Sequence, residues 1–407
     1  MNIKILFFIM CTLALSSCQE EKVSSDAQQE LRTLSFEEEE LIRTSNTFAF
    51  DLIRELSSQS GENVFLSPYY INMALSMALN GAEDKTLDQM QDVLQYSSLE
   101  RLEVNKVFNE LTPFFNKLDN NMQFVSAHAL WHHQDVSVRP LFRDMMVAYY
   151  GAGVESLDFF DYRSALKINK WVAEQTKGKL EPNVPVLTQP HAMYVVSAAH
   201  IKGRWTYPFA KESTAPGTFY FSNNRESIIP MMYADQTLYR YHQDEEKTLV
   251  DIPYGNQQYS MTITMPHQAD SLGFILNNIN NKSLSEDLAT ADTLNQPLYL
   301  PKFSINSQLP LRSVLSRMGM KDAFSATANF SGIFSDSLQR PMAELIHQAG
   351  IQIDEAGSQT QTPRAAAAIN STTDPVVRIN RPFAFFIREN HSGAILYTGL
   401  YRQPANQ

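Results

Sequence analysis

Cysteine is nearly absent from this 407-residue chain: there are two, Cys11 and Cys18, both close to the N-terminus. No disulfide can staple the body of the protein, which must rely on its core for stability. Glycine is scarce too, at 15 residues, and no phosphate-cradling Gly-rich loop occurs. The chain also lacks a Gly-x-Ser-x-Gly elbow, a His-Glu-x-x-His zinc helix and a paired Cys-x-x-Cys. No catalytic residue, cofactor or metal ion is therefore expected. Lys and Arg never form a run, and the net charge is -11, which disfavours nucleic acid and anionic lipid headgroups as partners. No repeat of 20 to 50 residues is visible. The nine histidines are scattered. His132 and His133 are adjacent, so in a strand they face opposite ways and cannot share a metal. All nine are expected to be surface or hydrogen-bonded polar groups.

What is present suits a large core: 43% of residues are hydrophobic and 11% aromatic. Near the N-terminus, Lys4 precedes an apolar run over residues 5–15 of signal-peptide length, too short to span a membrane. It leads into Leu15-Ser16-Ser17-Cys18, which resembles the lipobox of bacterial lipoproteins. That resemblance implies removal of residues 1–17, lipid on Cys18 and anchorage at the outer membrane. Gln19-Glu20-Glu21 resembles signals that send some lipoproteins to the cell surface; a periplasmic face is the alternative. Residues 18–35, rich in Glu, Gln and Ser, read as a flexible tether. No linker divides the remainder, so 36–407 is expected to be one domain.

Along that domain, Phe48, Leu52, Ile53 and Leu56 recur at helical spacing after Asn46. A short apolar strand at 63–66 precedes helices over 71–79 and 87–94, a strand over 123–131 and an exposed helix over 166–180. Strand-like stretches then dominate, at 194–199, 249–252, 259–265, 298–303, 376–379 and 383–388, bounded by turn residues. Helices early and strands late, without βαβ alternation, indicate an α+β fold on antiparallel or mixed sheets.

One segment is unusual. A strand over 351–355 is followed by Ala356-Gly357-Ser358, then Gln359-Thr360-Gln361-Thr362-Pro363-Arg364, four alanines and Ile369-Asn370-Ser371-Thr372-Thr373-Asp374-Pro375. Long stretches of small and polar residues between apolar strands are uncommon in compact domains and usually functional. Such a loop is open to proteolysis, yet its alanines have little side-chain entropy to lose on entering a sheet.

The residues around this segment resemble the serpin family. Ile353-Asp354-Glu355-x-Gly357-Ser358 resembles the family's hinge, and Arg381-Pro382-Phe383-x-Phe385-Phe386-Ile387-Arg388 the strand after its bait loop. Asn63-Val64-Phe65-Leu66-Ser67-Pro68 is similar to the start of the shutter. Asn169-x-Trp171-Val172 with Thr176-x-Gly178-Lys179 resembles the helix across the main sheet, and Lys202-Gly203-Arg204-Trp205 with Pro208-Phe209 the breach. Leu300-Pro301-Lys302-Phe303 and Met318-Gly319-Met320-x-Asp322-Ala323-Phe324-Ser325 with Asn329-Phe330-Ser331-Gly332 follow in family order.

The resemblance implies a serpin-like α+β fold with a large central sheet and about eight to nine helices. It implies a monomeric, non-enzymatic protease inhibitor that traps serine, and in some cases cysteine, proteases as an acyl-enzyme by loop insertion. By family spacing the scissile bond is Ser371–Thr372, with Arg364, Ile369 and Asn370 as alternative cleavage points. Glu355, Gly357, Ser358, Thr360 and Thr362 are then hinge residues, and Ser67, Tyr70, Ser197, Trp205, Lys302 and His347 shutter and breach residues. Lys302 and Glu355 are expected to pair. Ile369 and the alanines point to elastase-like or subtilisin-like targets. Tyr70 and Ser197 stand where the family usually has Ser and Asn. Pro363 lacks an N–H for a central strand, and Arg364 faces inward on insertion, where an unpaired charge is costly. These two residues keep open a second reading, a serpin-fold protein that binds a partner or is cleaved as a substrate.

Overall fold

Ser35 opens the first helix, α1 (Phe36–Gln59): its hydroxyl accepts the Glu38 amide while the Glu38 carboxylate accepts the Ser35 amide. Three glutamates in its first turn suit the positive end of the helix dipole. The helix thus starts well before the boundary expected at Asn46, because the cap and not the apolar spacing sets its end. A computed structural model describes residues 31–180, 182–184, 193–222, 225–335, 340–358 and 376–404. Among them eight further α-helices follow: α2 (Pro68–Leu79), α3 (Asp84–Leu94), α4 (Arg101–Lys117), α5 (Pro140–Tyr150), α6 (Ser164–Gln175), α7 (Leu272–Asn278), α8 (Asn281–Thr290) and α9 (Arg312–Met318).

The strands are β1 (Val64–Leu66), β2 (Met122–His133), β3 (Gly153–Leu157), β4 (Met193–Gly203), β5 (Ala215–Phe221), β6 (Arg225–Gln243) and β7 (Lys247–Tyr254). They continue with β8 (Tyr259–Pro266), β9 (Asp292–Pro301), β10 (Phe303–Pro310), β11 (Met342–Ile353), β12 (Val377–Arg378), β13 (Phe383–Glu389) and β14 (Ile395–Tyr401). Two sheets result. One has nine strands in the order β1-β14-β13-β8-β7-β6-β9-β12, with β5 on β6; the other has five, in the order β10-β11-β4-β2-β3. The strand expected over 298–303 is two strands, because Lys302 is where the chain passes from one sheet to the other.

Both faces of the five-stranded sheet are covered. On β4, Met193, Val195, Ala199 and Ile201 join the main core, whereas Tyr194, Val196 and Ala198 join a second cluster beneath α6. The sequence suggested an exposed helix over 166–180. Instead α6 ends at Gln175 and buries Ile168 and Val172 on the sheet, with Trp171 edge-on to Trp131 at 5.7 Å.

Within this sheet β11 and β4 are parallel neighbours, as are β2 and β3; the other pairs are antiparallel. The β11–β4 pairing runs from Met342/Met193 to Gly350/His200 and stops there, although the strands continue to Ile353 and Gly203. The seam between them is therefore open at one end.

Candidate functional site at the loop hinge and the sheet seam

The open end of the seam is filled by residues 354–358, the segment expected from the sequence to be the hinge. The sequence put Glu355 inside a strand, but β11 ends at Ile353 and Asp354–Gly357 form a turn, with reciprocal bonds between Asp354 and Gly357. Gly357 has φ +135°, and a Cβ there would stand 2.2 Å from the Gly203 carbonyl oxygen, so glycine is required. Beyond the turn the chain runs antiparallel to both flanking strands. Gly357 bridges Arg204 on one side and Asp354 on the other. Trp205 N–H donates to the Ala356 carbonyl at 3.0 Å, and Ser358 N–H donates to the Gly203 carbonyl at 2.6 Å.

Side chains clamp this turn. Lys302 Nζ lies 2.9 Å from Glu355 Oε2, and Thr214 Oγ1 donates to Glu355 Oε1 at 2.8 Å. Burial raises the Glu355 carboxyl, but the bonds from Lys302 and Thr214 outweigh it and hold the group below the usual carboxylate range. Trp205 Nε1–H donates to the Asp354 carbonyl at 3.0 Å and its ring stacks on Tyr254 at 4.3 Å. The Tyr254 hydroxyl accepts from Ser358 Oγ at 3.1 Å. Gly203 lies within the breach motif of the sequence, whereas no local signal marks Tyr254.

Midway down the seam, β2, β4 and β11 place His128, Ser197 and His347 in one cross-strand row. Ser67 N–H, at the cap of α2, must be the donor to His347 Nε2 at 3.0 Å. His347 is therefore the neutral tautomer with its proton on Nδ1, which meets Ser197 Oγ at 3.0 Å. Ser197 Oγ in turn donates to the Tyr70 carbonyl at 3.5 Å. Ser67, Tyr70, Ser197 and His347 thus close a ring of bonds from α2 across the seam. Burial pushes His347 down to about 3, with His128 adding to the effect, and pushes His128 down to about 4.

The expectation of surface or hydrogen-bonded histidines holds for His347, bonded through both ring nitrogens, but fails at His128. His128, His132, His133, His200 and His347 are all buried. Both ring nitrogens of His128, and Nε2 of His132, have no hydrogen-bond partner. The two-sided cover of the sheet buries them, and alternation along one strand cannot reveal that cover.

Thr360, Thr362, Pro363, Arg364, Ile369, Asn370, Ser371, Thr372 and Cys18 lie outside the described residues. Among the described residues, His242, Asp244 and Asp287 come within reach of a single cation. Lys247 Nζ, however, already lies 3.1 Å from Asp244 and 2.9 Å from Asp287, which reads as an ion-pair network.

A family model described as "Serpin (serine protease inhibitor)" matches residues 43–404. The chain belongs to the serpin family. This serpin is 29% identical to Iripin-8 of Ixodes ricinus over 88% of its own length and 92% of that protein's. It is 28% identical to Serpin B3 of Homo sapiens, covering 89% and 99% of the two chains. Its fold matches the crystal structure of human thyroxine-binding globulin with a TM-score of 0.81, covering 91% and 100% of the chains at 24% identity. The serpin fold is thus shown, and with it a family whose members are generally protease inhibitors and not catalysts.

Proposed function

We propose that this serpin is a suicide inhibitor of proteases whose bait loop enters the five-stranded sheet between β4 and β11. The observation that carries the reading is the Gly357–Ser358 segment, already laddered into the open end of the seam. If that register runs on, each residue down the loop meets one residue up β4. Ser358 lies opposite Gly203 and Ala368 opposite Met193, the far end of β4. The segment upstream of Ser371 is then long enough to fill the seam completely.

The chemistry proposed is ordinary acyl transfer. The protease nucleophile attacks the Ser371 carbonyl carbon, and the bond to the Thr372 nitrogen breaks. The nucleophile's proton leaves on the Thr372 amine, and the Ser371 acyl group remains esterified to the protease. Insertion of the freed strand adds hydrogen bonds worth roughly 1 kcal/mol net each. The working state is then one held by a kinetic barrier. Small residues upstream of Ser371 favour elastase-like or subtilisin-like serine proteases; a cysteine protease forms the equivalent thioester.

We also propose export and lipid attachment at Cys18, on the lipobox resemblance. A second reading, a non-inhibitory binding protein, draws on Pro363 and Arg364 and on thyroxine-binding globulin, a serpin-fold protein solved with a bound ligand.

Incubation of the mature domain with elastase, subtilisin, trypsin and papain, followed by denaturing gels, tests the proposal. A denaturation-resistant complex and a released peptide beginning at or next to Thr372 are expected. Cleavage by all four without a complex would favour the second reading.

A further inference from the structure

Two oddities of this chain fall at the same height in the sheet. Continued from Ser358/Gly203 on one side and from Gly357/Asp354 on the other, the loop register puts residue 364 between Ser197 and His347. Residue 364 is Arg364, the one basic residue between Glu355 and Arg378. Its side chain would share the face of Ser358, which is the face of Ser197 and of the core packed under α2. An arginine thus arrives in the row that holds His128, Ser197 and His347, beside Tyr70.

That row is built to receive donors. His128 is only 5% exposed, yet neither of its ring nitrogens has a partner. Its ring centroid is 5.6 Å from that of Tyr70, itself 3% exposed and flanked edge-on by Tyr397 at 6.1 Å. Ser197 Oγ accepts from His347 only while β4 and β11 are neighbours; a strand inserted between them frees that oxygen. No carboxylate of the described residues pairs with either imidazole. A buried guanidinium needs acceptors and polarisable faces, and it is more easily desolvated than an ammonium.

We propose that Tyr70, His128 and Ser197 form a preformed receptor for the Arg364 guanidinium in the loop-inserted state. The His128 lone pair and Ser197 Oγ accept from it, and the Tyr70 ring offers a face. His128 remains unpartnered until Arg364 arrives, and the large side chain at position 70 and the charged one in the loop become two halves of a single contact. The inference rests on loop insertion and adds to it a lock specific to this chain.

A double-mutant cycle tests it. Intact and elastase-cleaved forms of the full mature domain are unfolded in guanidinium chloride, with Arg364→Met combined with His128→Leu and with Tyr70→Leu. In the cleaved form, His128→Leu or Tyr70→Leu is expected to lower the midpoint by roughly a few tenths molar when Arg364 is present, and by much less with Met at 364. In the intact form the two changes should be additive. His128→Gln, which retains an acceptor, should preserve the coupling, and Arg364→Met changes none of the described core residues, so a folded pair is always available. Additivity in the cleaved form would overturn the receptor while leaving insertion standing. A cleaved form no more resistant than the intact one would overturn insertion, and the receptor with it.

Discussion

Lys302 Nζ reaches both carboxylate oxygens of Glu355, at 3.2 and 2.9 Å, joining the crossover between the two sheets to the turn that leads into the proposed bait loop. Glu355 is buried whereas Lys302 is partly exposed, so the lysine is the safer end to remove. Lys302→Ala should lower the native unfolding free energy by about 1–2 kcal/mol, since it leaves a buried carboxylate without its charged partner. It should also speed spontaneous loop insertion. Unchanged conversion during prolonged incubation, followed on native gels, would show that this pair does not hold the hinge.

The hinge turn depends on Gly357. Gly357→Ala forces a side chain into a positive-φ backbone and against the Gly203 carbonyl. A loss of about 1–3 kcal/mol is expected, together with slower complex formation relative to loop hydrolysis. Gly151, also at positive φ but with open space around it, is the control: Gly151→Ala should cost backbone strain alone.

Acid should destabilise the native seam. His128 and His347 both hold folded values below the ordinary 6.5, at about 4 and about 3. The unfolded chain therefore binds protons first as the pH drops. Their contribution is intact above pH 6.5 and is lost progressively from there toward pH 4 and 3. By pH 5 each imidazole costs roughly 2 kcal/mol. Melting temperature should be level near pH 7.5 and fall steeply below 6, and His128→Leu should flatten part of that slope. A profile unaffected by that change would place the acid sensitivity elsewhere.

Pro363 would sit opposite Gln348 of β11 if the hinge register continues, leaving the Gln348 carbonyl without its loop donor. Pro363→Thr should stabilise the cleaved form by about 1 kcal/mol or more and leave the intact form unchanged. The comparison is made on guanidinium chloride midpoints. An effect of equal size in both forms would mean that the proline acts outside the sheet.

Cleavage after Arg364 would leave an upstream stub reaching only to the height of Ser197. Trypsin-like proteases are therefore expected to inactivate this serpin without being trapped. A stable covalent complex mapped to Arg364 would refute that expectation.

The sequence by itself carried what depends on neighbours along the chain. The apolar run of α2, the strand alternation and the composition of the segment after Ser358 are local, and the order of the motifs resembles one family throughout. Ser35 with Glu38 and Ser67 with Pro68 are legible as caps too, but apolar spacing alone places both helix starts later, after Asn46 and at residue 71. What only the tertiary structure decided is which distant residues share a row. His128, Ser197 and His347 come from three strands far apart in the chain, and cross-strand register has no trace in local periodicity. The same holds for the open end of the seam beyond Gly350 and His200. Burial of the histidines followed from helices covering both faces of the sheet, a condition that one strand's sequence cannot express.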